Sequence, residues 1–171
     1  MSEAHRTVRS VWLVVRSLVW AALLPGFAAG YLPWRLFGSK RAAFDPRHPD
    51  QLVGALAVLA GVVLLASCVV EFARRGRGTL SPADPPRTLV VEGLYRYVRN
   101  PMYLAVSVIL LGEAASFRSL GLLAYWAVWF LIVNLFVMAY EEPTLRRQFG
   151  ADFEHYCRRV GRWLPRLRPA V

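Results

Sequence analysis

The fold class predicted from this sequence is an all-α integral membrane protein of about four transmembrane helices, closed by a C-terminal interfacial amphipathic helix. Three observations carry it. Of 171 residues 56% are hydrophobic, yet the net charge is +10, an excess in both directions that ordinary soluble domains do not show. The charged residues are segregated from the apolar ones, which lie in long runs. Those runs approach the roughly 20 helical residues needed to cross a bilayer's hydrocarbon core.

Taken in order, the first run is 11–34, interrupted by Arg16 and kinkable at Pro25 and Gly26. Arg6 and Arg9 ahead of it and "GFAAG" behind it give the outline of a signal peptide. The split at Arg16 and the apolar character of the rest favour a retained anchor, with Arg16 snorkelling or facing other helices. The second run, 52–72, reads "LVGALAVLAGVVLLASCVVEF" and carries no charge until Glu71. The third, 102–117, is short: its 16 residues reach about 24 Å, less than a hydrocarbon core of about 30 Å. The fourth, 120–140, is long enough to cross and has aromatic residues suited to the interface at its flanks. The link "SFRS" is so short that runs three and four should form an antiparallel hairpin.

Between the second and third runs lies 73–101. Its stretch "GRGTLSPADPPR" excludes a continuous helix, and "TLVVEGLYRYVRNPMY", with Gly93 as a turn residue, reads as an ordered re-entrant segment. The tail, 143–171, opens on Pro143, which suits the first turn of a new helix. Leu145, Phe149, Phe153, Tyr156 and Val160 then recur at helical spacing, with Arg146, Arg147, Arg158 and Arg159 largely on other faces. Such a helix should lie on the membrane with its arginines among lipid phosphates. Residues 1–171 thus read as one membrane domain without internal repeats.

With four crossings, the N-terminus, 73–101 and the tail share one side and hold 15 of the 21 Lys and Arg. The positive-inside bias makes that side cytoplasmic, in a multi-pass protein of the cell membrane with both termini inside. Cys68 and Cys157 make neither a metal spacing nor a disulfide pair, and no metal or nucleic-acid partner is expected. His48 and His155 are isolated. Glu113 and Asn134 are buried-polar candidates for interhelical hydrogen bonds.

The hairpin brings two polar ends together. Asn100 lies 18 residues before Arg118, while Glu141 and Glu142 lie 23 and 24 after it. Straight helices would leave the "RNPMY" and "EE" ends on one side, offset by roughly 8 Å. Arg96, Arg99, Asn100 and Tyr103 would face the two carboxylates, with Arg146 and Tyr156 of the tail folding over as a lid. Such a place fits a zwitterionic cofactor: carboxylates attract a cationic amine or sulfonium and accept ribose hydroxyls, and arginine takes a carboxylate in bidentate geometry. Arginines and acids at helix ends are equally ordinary interface anchors, and spacing alone leaves both readings open.

The run "GLYRYVRNPMY", a helical hairpin, and then "EEPTLRRQFGADFEHYCRRVGRWLPRL" resemble the C-terminal core of the isoprenylcysteine carboxyl methyltransferase and phospholipid methyltransferase superfamily. The resemblance covers 91–167. It rests on an arginine-x-proline-x-tyrosine start, a glutamate pair after the next helix and a Phe-Gly…Tyr tail ending in a basic, proline-containing stretch. It implies an integral-membrane enzyme that uses S-adenosylmethionine to methylate a lipid-like or isoprenylated acceptor, whether carboxylate, thiolate or amine. Arg99, Pro101 and Tyr103 would then frame the cofactor pocket, with Arg96, Asn100, Leu104, Glu141, Glu142, Arg146 and Tyr156 completing it. Arg99, Asn100 and Glu142 are the candidate catalytic residues. The acceptor would arrive laterally from the bilayer and the cofactor from the cytosol.

Two positions depart from the resembling family, which usually has histidine where this chain has Asn100 and often glycine where it has Ala105. Asparagine exchanges hydrogen bonds but does not shuttle protons near neutral pH, which favours an anionic or already nucleophilic acceptor. The alternative is a non-catalytic membrane relative that binds lipid or a partner protein.

Overall fold

A computed structural model of the chain describes residues 25–38, 43–75 and 89–166. Most of the first apolar run and the linker "GRGTLSPADPPR" therefore lie outside the described residues. Those that are described are helical, with no strand among them; a single parallel bridge joins Val98 to Gly161.

The described residues begin with a wide π turn, Phe27–Tyr31, and a short helix α1, Leu32–Phe37. Helix α2 is Pro49–Arg75 and begins on a proline, whose missing N–H costs nothing in a first helical turn. The buried Gln51 ties the preceding loop to it: its Oε1 accepts from the Asp45 amide at 2.6 Å and its Nε2 donates to the Ala43 carbonyl at 3.3 Å. A single 3₁₀ turn, Gly93–Arg96, leads to α3, Pro101–Ser116. Ser119 caps α4, Leu120–Phe136, by accepting from the Leu122 amide at 3.3 Å. A second π turn, Val137–Glu141, passes into α5, Glu142–Arg159.

Helices α2 and α3 run antiparallel and pack closely because small residues meet at the crossing. A side chain at Gly54 would fall 2.5 Å from the Ser116 amide, one at Gly61 would fall 2.6 Å from Ile109, and one at Gly112 would fall 2.7 Å from the Gly54 carbonyl. Within a bilayer, apolar side chains gain little by leaving lipid for protein, so close backbone approach of this kind is what holds helices together. The outer faces are apolar and exposed: Val53, Leu56, Leu59 and Val63 on α2, Val128, Leu131, Ile132 and Leu135 on α4. Two helical stretches, Pro49–Glu71 and the one that starts at Leu120, are long and apolar enough to cross a membrane.

The tail departs from one unbroken helix. Gly150, at φ +51° and ψ −121°, interrupts α5 in a conformation that residues with a Cβ rarely adopt. Spacing along the chain does place Phe153, Tyr156 and Val160 on one face. That face turns into the protein: Phe153 is 2% exposed and Val160 0%, packed with Leu89, Leu145, Phe149 and Cys157.

Candidate functional site

Pro101 sets the first turn of α3, and the residues just before it leave the helix with their side chains aimed at the tail. At Val160 the backbone becomes extended, and the bent segment that follows returns to 97–99. The Arg99 amide donates to the Gly161 carbonyl at 2.9 Å, and the Arg166 amide donates to the Tyr97 carbonyl at 2.9 Å. Asn100 sits at the helix cap but does not cap it. Its Nδ2 donates to the Arg162 carbonyl at 3.2 Å, so the amide is spent on holding the tail.

The two glutamates differ in their partners. Glu142, 8% exposed, is gripped by two guanidinium groups. Arg162 donates Nε to Oε1 and Nη2 to Oε2, both at 2.7 Å, and Arg99 Nη1 lies 2.9 Å from Oε1. Burial by itself would raise the Glu142 carboxyl; the Arg162 hydrogen bonds and the charges of Arg99, Arg162 and Arg146 outweigh it and hold the group below the ordinary range. Glu141, one residue earlier, ends the π turn where the apolar stretch gives out after Tyr140. Its partner among the described residues is the Tyr103 hydroxyl, which donates to Oε2 at 3.1 Å. Burial pushes this carboxyl above the ordinary range; the Tyr103 hydrogen bond works the other way and the Glu142 charge adds to the rise. The pair is thus one neutralised carboxylate beside one that has only a neutral phenol for company.

Around this pair, Arg99 Nη1 also donates to Cys157 Sγ at 2.8 Å, and the Tyr156 hydroxyl donates to the Tyr95 carbonyl at 2.7 Å. Burial raises the Cys157 thiol, so it meets Arg99 as a neutral sulfur. Trp163 lies against Tyr103 and Phe130, with ring centroids 6.3 and 5.0 Å apart, and donates its Nε1 to Asn134 Oδ1 at 2.9 Å. Glu71 of α2 presses on the 3₁₀ turn: a Cβ at Gly93 would fall 1.5 Å from its Oε2, and Gly93 has φ +58°. Space and backbone conformation both require glycine there.

Of the residues expected from sequence, Arg99, Asn100, Tyr103, Glu141, Glu142 and Tyr156 come together here, with Pro101 and Leu104 on the first turn of α3. Arg96 is in the 3₁₀ turn. Arg146 turns outward and bonds Glu154, taking part through its charge alone. Side chains bridge the expected offset between the two polar ends: Tyr103 reaches Glu141 and Arg99 reaches Glu142. The π turn Val137–Glu141 also departs from the straight helix assumed in that expectation. Reading the sequence missed Arg162, Cys157 and Tyr95; Arg162 had a signal only in its place within the basic closing stretch.

The phospholipid methyltransferase family model matches residues 49–152, more than half of the chain, from the start of α2 into α5. The chain belongs to the phospholipid methyltransferase family. The match takes in Arg99, Asn100, Tyr103 and both glutamates and stops before Tyr156, Arg162 and Trp163. Among similar proteins is the nickel-cobalt-cadmium resistance protein NccN of Alcaligenes xylosoxydans xylosoxydans, 29% identical over 157 residues. That alignment takes in 92% of this chain and 64% of NccN, so the chain spans less than two thirds of its relative's length. Among the described residues of this phospholipid methyltransferase family member, no group of three His, Cys, Asp or Glu side chains is placed to hold a metal ion.

Proposed function

We propose that this family member is a membrane methyltransferase that takes its methyl group from S-adenosylmethionine and passes it to a lipid-like or isoprenylated acceptor. The observation that supports this is the asymmetry of the glutamate pair. Glu141, partly buried and bonded only to Tyr103 among the described residues, has no cation beside it to offset the cost of taking its carboxylate out of water. A sulfonium or an amine is such a cation. Arg99 and Arg162 supply the complementary charge for a carboxylate, and Glu142 keeps both guanidinium groups in place until one arrives.

Bound there, S-adenosylmethionine supplies an electrophilic methyl group on a positively charged sulfur. The chain's part is to align and to dry the site: Tyr103 orients Glu141, Asn100 anchors the tail through the Arg162 carbonyl, and Tyr156 fastens the tail to the Tyr95 backbone. Asn100, which stands where the resembling family usually has histidine, cannot shuttle a proton near neutral pH, which favours an acceptor that is already nucleophilic. The exposed apolar faces of α2 and α4 fit four crossings with the polar cluster on the cytoplasmic side, where Arg99, Arg158, Arg159 and Arg162 gather.

The reading is tested by incubating the purified protein with methyl-labelled S-adenosylmethionine and native membrane extract. Label in an extractable lipid or prenylated species supports it; label in neither contradicts it. A reporter fused at Val171 tests orientation, with a cytoplasmic readout expected.

A further inference from the structure

Two buried hydrogen-bond donors, Ser107 Oγ and Trp126 Nε1, have no partners among the described residues, and each lies one helical turn from a residue that touches Trp163. Ser107, 6% exposed, is one turn along α3 from Tyr103, which touches Trp163. It is two positions from Ala105, which faces Gly61 of α2, so it lies roughly opposite the α2 contact. Trp126 is one turn along α4 from Phe130, which also touches Trp163, and it stacks on Phe130 at 5.9 Å. The two donors therefore continue, from either helix, a path that starts at Trp163 and runs into the apolar part of the bundle. A helical serine usually returns its hydroxyl to a backbone carbonyl in the preceding turn, as Ser67 does to Val63 at 2.9 Å. Ser107 does not, and buried donors left unmade carry a desolvation cost that natural proteins seldom leave standing.

We infer that the α3–α4 groove under Trp163 is where the acceptor binds, and that Ser107 Oγ and Trp126 Nε1 donate to a carbonyl-type oxygen, of a carboxyl or an ester, on an acyl or isoprenyl chain. The inference rests on the methyltransferase reading for its link to catalysis. The rings of Phe130 and Trp126 receive the chain, and the exposed Leu131 and Leu135 on α4 lead out to lipid. Trp163 closes the polar end of the groove, held by Asn134 on one side. On the other side Arg162, its neighbour in the chain, is locked to Glu142. Loosening Arg162 from Glu142 frees Trp163, so the groove opens toward the glutamate pair when that ion pair is exchanged for another ligand.

The test uses the full chain in phosphatidylcholine nanodiscs and three diazirine-bearing probes of equal chain length: a fatty acid, a phosphatidylcholine and an alkane. Cross-linked positions are mapped by mass spectrometry, and S-adenosylmethionine binding is measured by calorimetry on the same samples. The fatty acid or the phosphatidylcholine, according to whether a free carboxyl or an ester is taken, should label the Ser107 and Trp126–Phe130 regions about fivefold more than the alkane, the ratio expected of one net buried hydrogen bond. Ser107→Ala and Trp126→Phe should lower that labelling toward the alkane level with cofactor binding intact, Ser107→Thr should retain it, and Trp163→Ala should raise it. Equal labelling by all three probes, or labelling indifferent to both Ser107→Ala and Trp126→Phe, overturns the inference. Selective labelling in a wild-type protein that binds no S-adenosylmethionine would keep the groove and remove the methyltransferase reading.

Discussion

Arg162 grips Glu142 through two hydrogen bonds of 2.7 Å across twenty residues of sequence, and in doing so closes the tail over the start of α3. The pairing fixes where the bent segment after Val160 must run. It also places Trp163 in the apolar half of the molecule while its neighbour sits in the polar half.

Removing one partner should therefore cost fold as well as ligand. Arg162→Met leaves Glu142 with Arg99 alone, and a double-mutant cycle with Glu142→Gln should give a coupling of about 1–3 kcal/mol, read from thermal unfolding in detergent. Additive effects would show that the ion pair is a surface ornament.

Acid should act on the two glutamates in opposite senses. Glu142 is held below its ordinary value of 4.5, so its contribution to stability is present above that value and is lost as pH falls through the depressed folded one. Glu141 is raised above 4.5, so stability falls as pH rises from 4.5 through its folded value. The Glu141→Gln protein should lose stability on acidification below about pH 4.5, and the Glu142→Gln protein should be less acid-sensitive than wild type. Identical melting profiles against pH in the two variants would contradict this assignment.

Trp163 should hold the tail more through its rings than through its N–H. Trp163→Phe keeps the contacts with Tyr103 and Phe130 and should leave hydrogen exchange at 160–166 close to wild type. Trp163→Ala should speed it, with a loss of about 1–3 kcal/mol for two aromatic contacts. Equal exchange in Trp163→Ala and wild type would remove the anchoring role.

The α2–α3 crossing gives a packing test away from the site. Gly112→Ala brings a methyl within 2.7 Å of the Gly54 carbonyl and 2.8 Å of the Val58 amide and should destabilise by about 1–3 kcal/mol, whereas Gly30→Ala meets nothing within 4 Å and should be neutral on packing grounds. Thermal unfolding of the two variants decides it, and equal losses would argue against the crossing.

Much of this was legible in sequence because it is periodic or local. The apolar runs, the proline opening α3 and the meeting of "RNPMY" with "EE" follow from helical rise and a short link. What was not legible depends on tertiary return. Nothing local says that the chain after Val160 turns back along Tyr97 to Arg99, and so nothing local marks Arg162 as the partner of Glu142. The break at Gly150 was invisible for a similar reason: a glycine inside an amphipathic pattern is compatible with a helix until packing asks it to bend. Asn100, which stood out in the sequence by its departure from the resembling family, has a structural use that no motif announces, since its amide holds the Arg162 carbonyl.

The central claim is that Glu141 awaits a cation beside a neutralised Glu142. Calorimetry of S-adenosylmethionine and its demethylated product on the detergent-purified protein tests it most directly. The account predicts binding of S-adenosylmethionine by wild type and an affinity about tenfold lower in Glu141→Gln, as loss of one charge-assisted contact implies. Absence of binding by either compound to a folded wild-type protein, or unchanged affinity in Glu141→Gln, would contradict it.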